Sequence, residues 1–180
     1  MRPPLDRPKL ERFMTALAQR VKGEGRIYLT GGSTALLHGW RASTIDIDLK
    51  ADPEPDGWFE ALAALKDELA VNVELASPDH FIPVLPGWRD RSLFIARHGR
   101  LDFYHYDPYS QALAKLERGH ARDLDDVNAM LTNGLIRPDR LLELFESIQS
   151  ELIRYPALDP SSFRAAVEAF VASPEPPPGP

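Results

Sequence analysis

Residues 26–50 read RIYLTGGSTALLHGWRASTIDIDLK, and two segments of this stretch decide the fold. Arg26–Thr30 is short, rich in Ile, Tyr and Leu, and runs straight into Gly31-Gly32, as a strand does when it feeds a tight turn. Ser33–His38 then reads as a short helix. The segment IDIDLK at 45–50 alternates apolar and polar residues with period two, the pattern of a strand with one face in a core. Ile45, Ile47 and Leu49 are expected on the core face. Asp46 and Asp48 are expected together on the other, their Cα atoms about 6.6 Å apart, twice the rise per strand residue. Aspartate is depleted in strands, and like charges on one face repel. A divalent cation between the carboxylates would remove the repulsion, since Mg²⁺ takes oxygen ligands and keeps water or phosphate oxygens in its other positions. An amphipathic edge strand that merely carries two aspartates explains the segment equally well.

Upstream, Leu10, Phe13, Met14, Leu17 and Val21 recur at helical spacing, so 8–22 reads as an amphipathic helix ended by Gly23 and Gly25. Downstream, Trp58, Leu62, Leu65 and Leu69 mark a helix over 57–70, and 71–75 is a strand candidate. The stretch 76–91 reads mostly as loop. Ser92–Arg97 and Arg100–Tyr106 form a hairpin around His98-Gly99. From Asp107-Pro108, a cap followed by proline at the first helical position, the period turns helical and stays so. Helices are expected to Arg118, over 122–133, from Pro138 with a stripe from Leu141 to Leu152, and from Asp159-Pro160. The fold class is therefore α+β: a mixed sheet with flanking helices over 1–106, a helical region over 107–172, and a loose Pro-rich tail over 173–180.

Composition excludes several function classes. Among 180 residues there is no cysteine, which removes disulfides, thiolate zinc sites and cysteine nucleophiles and fits a cytoplasmic protein. No apolar run has the length of a membrane span. His38, His80, His98, His105 and His120 show no HxH or HExxH pairing, so a zinc hydrolase is not expected. His38 reads as structural, and His105, alternating away from Asp102, as a packing or surface residue. The net charge of −6 argues against a polybasic nucleic-acid wrapper. The charge is uneven, however: residues 1–26 hold seven basic and three acidic residues, which makes the first helix either a solvated face or an edge for a polyanion.

The turn LTGGST lets backbone approach an anion closely, and the start of the following helix, with the Ser33 hydroxyl, can hold a phosphate. It is neither a P-loop nor GxGxxG. Twelve residues separate GGS from DID, and the combined pattern resembles the signature of the DNA polymerase β-like nucleotidyltransferase superfamily. The resemblance implies that Gly31, Gly32 and Ser33 hold a nucleotide's phosphates, that Asp46 and Asp48 bind Mg²⁺, and that a third carboxylate on a later strand completes the site. Asp102 in RLDFYHY is the residue offered for that role; its competitor Asp107 already reads as a helix cap. The segment SQALAKLERGHARDLDDV at 110–127 is similar to a stretch found in the abortive-infection toxin branch and in related uncharacterised families. By that similarity Lys115 would face the triphosphate, Arg118 or Arg122 would assist, and Asp123 and Asp126 would shape the nucleotide pocket.

The resemblance thus implies a Mg²⁺-dependent enzyme that moves a nucleoside monophosphate from an NTP to a hydroxyl acceptor, RNA or protein. It further implies a toxin with an antitoxin partner. Two rival expectations belong to other classes: a non-catalytic protein that binds nucleotide or a partner on the same fold, and a helical interaction module.

Overall fold

The structure, a computed structural model, describes residues 2–173; all of the expected Pro-rich tail except Ser173 lies outside the described residues. The chain divides into two compact units. One comprises residues up to Ser77 together with Ser92–Tyr106, and the other comprises Pro78–Arg91 together with the chain from Asp107 on. The second unit therefore begins inside the stretch read as loop.

In the first unit, α1 (Arg7–Arg20) is capped by the Asp6 carboxylate, which accepts from the Lys9 amide at 2.9 Å. It is followed by β1 (Gly25–Thr30), α2 (Gly31–His38), β2 (Asp46–Ala51), α3 (Trp58–Glu68), β3 (Asn72–Glu74) and the antiparallel hairpin β4 (Leu93–His98) and β5 (Leu101–His105). The five strands form one sheet of order β3-β2-β1-β5-β4. It is mixed: β1 runs antiparallel to β2 and parallel to β5, and β2 runs parallel to β3. One face is the core. Ile27, Leu29, Ile47, Leu49, Val73 and Phe103 pack there against Leu10, Phe13 and Leu17 of α1 and Leu62 and Leu65 of α3. The period-two reading of β2 holds from Asp46 on. Ile45 departs from it: the strand begins one residue later and Ile45 is 56% exposed.

The basic N-terminal segment is largely matched within its own unit. Arg2 pairs with Asp67 at 2.8 Å and Arg20 with Glu68, both on α3, and Arg7 pairs with Glu11 one turn on. Lys9 Nζ donates at 3.1 Å to the carbonyl of Ala70, a residue held at φ +48° just past α3. Arg2, Lys9 and Arg20 thus meet carbonyls and carboxylates at the C-terminal end of α3, where positive charge is favoured.

In the second unit a 3₁₀ turn (Pro78–His80) and α4 (Trp88–Arg91) occupy the stretch read as loop, anchored by buried Trp88. Helices α5 (Pro108–Arg118), α6 (Ala121–Thr132), α7 (Pro138–Ile148) and α8 (Pro160–Ala172) follow. Leu152 lies not in α7 but in a 3₁₀ stretch, Gln149–Arg154. Asp107 is fully buried and caps α5 by accepting from the Tyr109 amide at 3.1 Å. The Arg91 guanidinium forks its carboxylate at 3.1 and 2.8 Å, and Ser110 Oγ donates to it at 2.7 Å, so the buried charge is both paired and hydrogen-bonded. Among the described residues no helix is long and apolar enough to cross a membrane.

His105 is a packing residue of the first unit. Its Nδ1 lies 3.2 Å from Thr34 Oγ1, and its ring stacks on His38 at 4.2 Å, which stacks in turn on Trp40 at 5.1 Å. Burial, with the neighbouring His38 second, pushes the His105 imidazole down to about 3. The unfolded chain takes up this proton near pH 6.5, while the folded chain does so only near pH 3. Between these limits the unfolded state binds more protons, so the stability present above pH 6.5 is lost as pH falls. The expected loss from this group is about 1.4 kcal/mol per pH unit. Denaturation midpoints between pH 6.5 and 5, above most carboxylate titrations, should show this slope, and His105→Gln should flatten it.

Candidate active site

The β1–β2 register sets the site. Thr30, the last residue of β1, is the Cα partner of Asp48, so the chain enters α2 beside that carboxylate. Gly31 sits at φ +60°, a region open to glycine, and a Cβ built on it would stand 2.8 Å from Asp48 Oδ2. The carboxylate occupies the space a side chain would fill. Gly32 is constrained from another side, because a Cβ there would stand 2.0 Å from Thr44 Oγ1 and 2.7 Å from Thr44 Cβ. Thr44 is itself pinned by a two-bond bridge to Leu5, at 2.7 and 3.0 Å. Gly31 is thus favoured by its left-handed backbone and Gly32 by contact. They form the first turn of α2 rather than a loop ahead of it.

The Ser33 hydroxyl is fully buried in this turn and has no hydrogen-bond partner among the described residues. A buried polar atom without a partner is costly, and here it sits in a helix's first turn, whose N–H groups lack carbonyl partners within the helix. Asp46 and Asp48 lie on the same face of β2, both half-buried, with Ile47 and Leu49 fully buried behind them. Across the parallel β2–β3 pair, Asn72 partners Asp46 and exposed Glu74 partners Asp48. Glu74 thus stands next to the Asp pair on the same face. Nothing in the sequence marked it, because parallel pairing between distant segments leaves no local pattern.

Asp102 shares this face but not this end of the sheet. Its Cα partner on β1 is Arg26, four residues before Thr30, or about 13 Å along the strand. Its carboxylate faces Arg97 at 3.5 Å. Continuing the β1–β5 register by one residue brings Tyr106, not a carboxylate, level with Thr30; its amide donates to the Leu29 carbonyl at 2.8 Å. The structure brings Gly31, Gly32, Ser33, Asp46 and Asp48 together and leaves Asp102 apart. Among the described residues no group of three or more His, Asp and Glu side chains is arranged to hold a metal ion.

In the second unit, four of the five residues singled out by the resemblance form one ion network. Buried Lys115 donates to Asp126 Oδ2 at 2.6 Å and reaches Asp123 Oδ1 at 3.4 Å. Arg118 forks Asp123 at 2.7 and 2.5 Å. Burial pushes the Asp123 carboxyl up, but the Arg118 bonds and the Lys115 charge outweigh it and hold the group below the usual carboxylate range. Arg122 is exposed at the start of α6. The network clamps α5 to α6.

Two outcomes follow from these contacts. Gly32→Ala forces its methyl into Thr44 and should cost about 1–3 kcal/mol, read as a lowered Tm, with Thr44→Gly in the same chain recovering part of the loss. Lys115→Met and Asp126→Leu should each destabilise by about 3–5 kcal/mol, as breaking a buried pair does. The double substitution should cost less than either alone in chemical denaturation.

Comparison with known proteins bears on the whole chain. No curated protein and no solved structure matches it. One family model does, over residues 9–170, which span both units. With a glycine turn seated against a strand aspartate at its centre, the chain belongs to the family described as nucleotidyltransferase of unknown function (DUF6036).

Proposed function

We propose that the chain is a metal-dependent nucleotidyltransferase of the DNA polymerase β-like kind, moving a nucleoside monophosphate from an NTP to a hydroxyl acceptor. The observation that carries this reading is the seat of the Asp48 carboxylate against the Cα of Gly31, with Asp46 two residues away on the same face. It puts a pair of hard oxygen donors at the mouth of a helix N-terminus.

The donor set fits Mg²⁺, which is commonly held by one or two carboxylates and completed by water and substrate phosphates. Asp46 and Asp48 would hold it, and when bound it would neutralise phosphate charge and acidify the acceptor hydroxyl. The chain's own groups do the rest. The first turn of α2 offers amides and the positive end of a helix dipole to phosphate oxygens. The Ser33 hydroxyl, without a hydrogen-bond partner among the described residues, would donate to a phosphate oxygen that reached the turn. The glycines keep side chains out of the approach, and positioning of this kind supplies much of the rate in phosphoryl chemistry.

A second reading is a nucleotide-binding protein without transfer activity, and the placement of Asp102 away from the Asp pair favours it. One experiment separates the two. Purified chain is incubated with α-³²P-labelled NTPs, Mg²⁺ and cell extract, and label is followed into RNA and protein. The transferase reading expects Mg²⁺-dependent labelling that Asp46→Ala with Asp48→Ala abolishes and Asp102→Asn lowers by less than tenfold. Nucleotide-dependent thermal stabilisation without labelling would favour the binding protein. Labelling that survives the double substitution would overturn the site. The similarity to abortive-infection toxins extends the proposal to a toxin restrained by an antitoxin: expression should arrest growth, and the double substitution should relieve the arrest.

A further inference from the structure

We infer that the sheet face bearing Asp46 and Asp48 also bears the acceptor site, an aromatic and arginine platform for the end of a single-stranded nucleic acid. The word acceptor rests on the transferase reading above; the platform itself rests on the register of four strands. Across β4, β5, β1 and β2 the pairing aligns Phe94, Tyr104, Tyr28 and Lys50 in one row. The rings touch in sequence, Phe94 on Tyr104 at 5.6 Å edge to face and Tyr104 on Tyr28 at 5.4 Å stacked. Tyr28 is buried and braced by Tyr106, while Phe94 is 59% exposed. The row is rigid at one end and open at the other.

Two neighbouring rows complete it. Two residues towards the N-terminus of β1 lies Arg97–Asp102–Arg26, with the Arg97 side chain 55% exposed and only grazing Asp102 at 3.5 Å. Two residues towards the C-terminus lies Thr30–Asp48. Successive rows are about 6.6 Å apart along β1. Phe94 and Arg97 are three residues apart and would face opposite sides of a regular strand. The bulge between Phe94 and Ala96 returns both to the Asp48 face, and bulges re-aim side chains in this way beside functional sites.

Arginine row, aromatic row and carboxylate row match the repeating parts of a single strand approaching by its end: phosphate, base, terminal hydroxyl. Aromatic faces accept any base, and an exposed guanidinium meets the backbone phosphate.

The test uses the full chain, without NTP and with EDTA, and a short fluorescein-labelled single-stranded RNA of mixed sequence read by anisotropy. Salt-dependent binding is expected. Phe94→Ala should weaken it about tenfold, the scale of one lost stacked base, and Phe94→Trp should restore it. Arg97→Gln should reduce the slope of log K against log salt by about 0.7, one phosphate on a single strand. Phe59→Ala, which removes an equally exposed ring on α3, should change nothing. Unlabelled single-stranded DNA should compete and duplex RNA should not. The inference is overturned if wild type leaves the RNA unbound, if Phe94→Ala and Arg97→Gln bind as wild type does, if duplex competes equally, or if wild type and Phe94→Ala label a protein acceptor alike while RNA stays unbound. RNA binding with this variant pattern but no labelling from NTPs supports the platform and counts against the transferase reading alone.

Discussion

Antiparallel pairing of β1 with β2 places Thr30 opposite Asp48, and most of what the first unit offers to chemistry depends on that register. It lets the chain turn into α2 beside a carboxylate, and it admits only glycine where the turn meets that carboxylate. A slip of one residue would send Asp46 and Asp48 to the core face and Ile47 and Leu49 to solvent. The buried leucines and isoleucines of the sheet, packed against α1 and α3, hold the register against that slip. The hydrophobic core is thus also what aims the acidic pair.

Charge in each unit is arranged by a different rule. In the first, the N-terminal cations are mostly spent on the C-terminal end of α3 and on neighbouring carboxylates. This weakens the case for α1 as an edge for a polyanion and shifts attention to the exposed arginines of the sheet. In the second, Lys115, Arg118, Asp123 and Asp126 neutralise one another inside the helical packing. A network of that kind holds helices in one arrangement.

Local pattern exposed a good deal of this. The alternation in IDIDLK gave both the strand and the shared face of Asp46 and Asp48. The caps at Asp107 and Asp159 marked helix starts because a short carboxylate before a proline satisfies amides left over at a helix N-terminus; the Asp6 cap of α1 was not read from the sequence. Where the reading departed from the structure, the cause was long-range. Asp102 reads as a strand residue and lies on β5, but its face and its height along the sheet are fixed by a parallel pairing with β1 across 76 residues. His105 looked like an ordinary strand residue, and its column with His38 and Trp40 exists only because α2 folds back along β1. Pro78–Arg91 reads as loop because its 3₁₀ turn and single helical turn are too short to show a period; a buried tryptophan fixes α4.

The sequence by itself determined the α+β class, the order of the elements, the glycine turn and the acidic pair, because each is written in periodicities and caps that span a few neighbouring residues. Only the tertiary structure decided which carboxylates meet, that Glu74 rather than Asp102 stands beside Asp48, and that three strands align a row of aromatic rings, exposed at Phe94, on the same face. Those facts depend on strand register. Register is fixed by the summed fit of a whole core, and no short stretch of residues contains it.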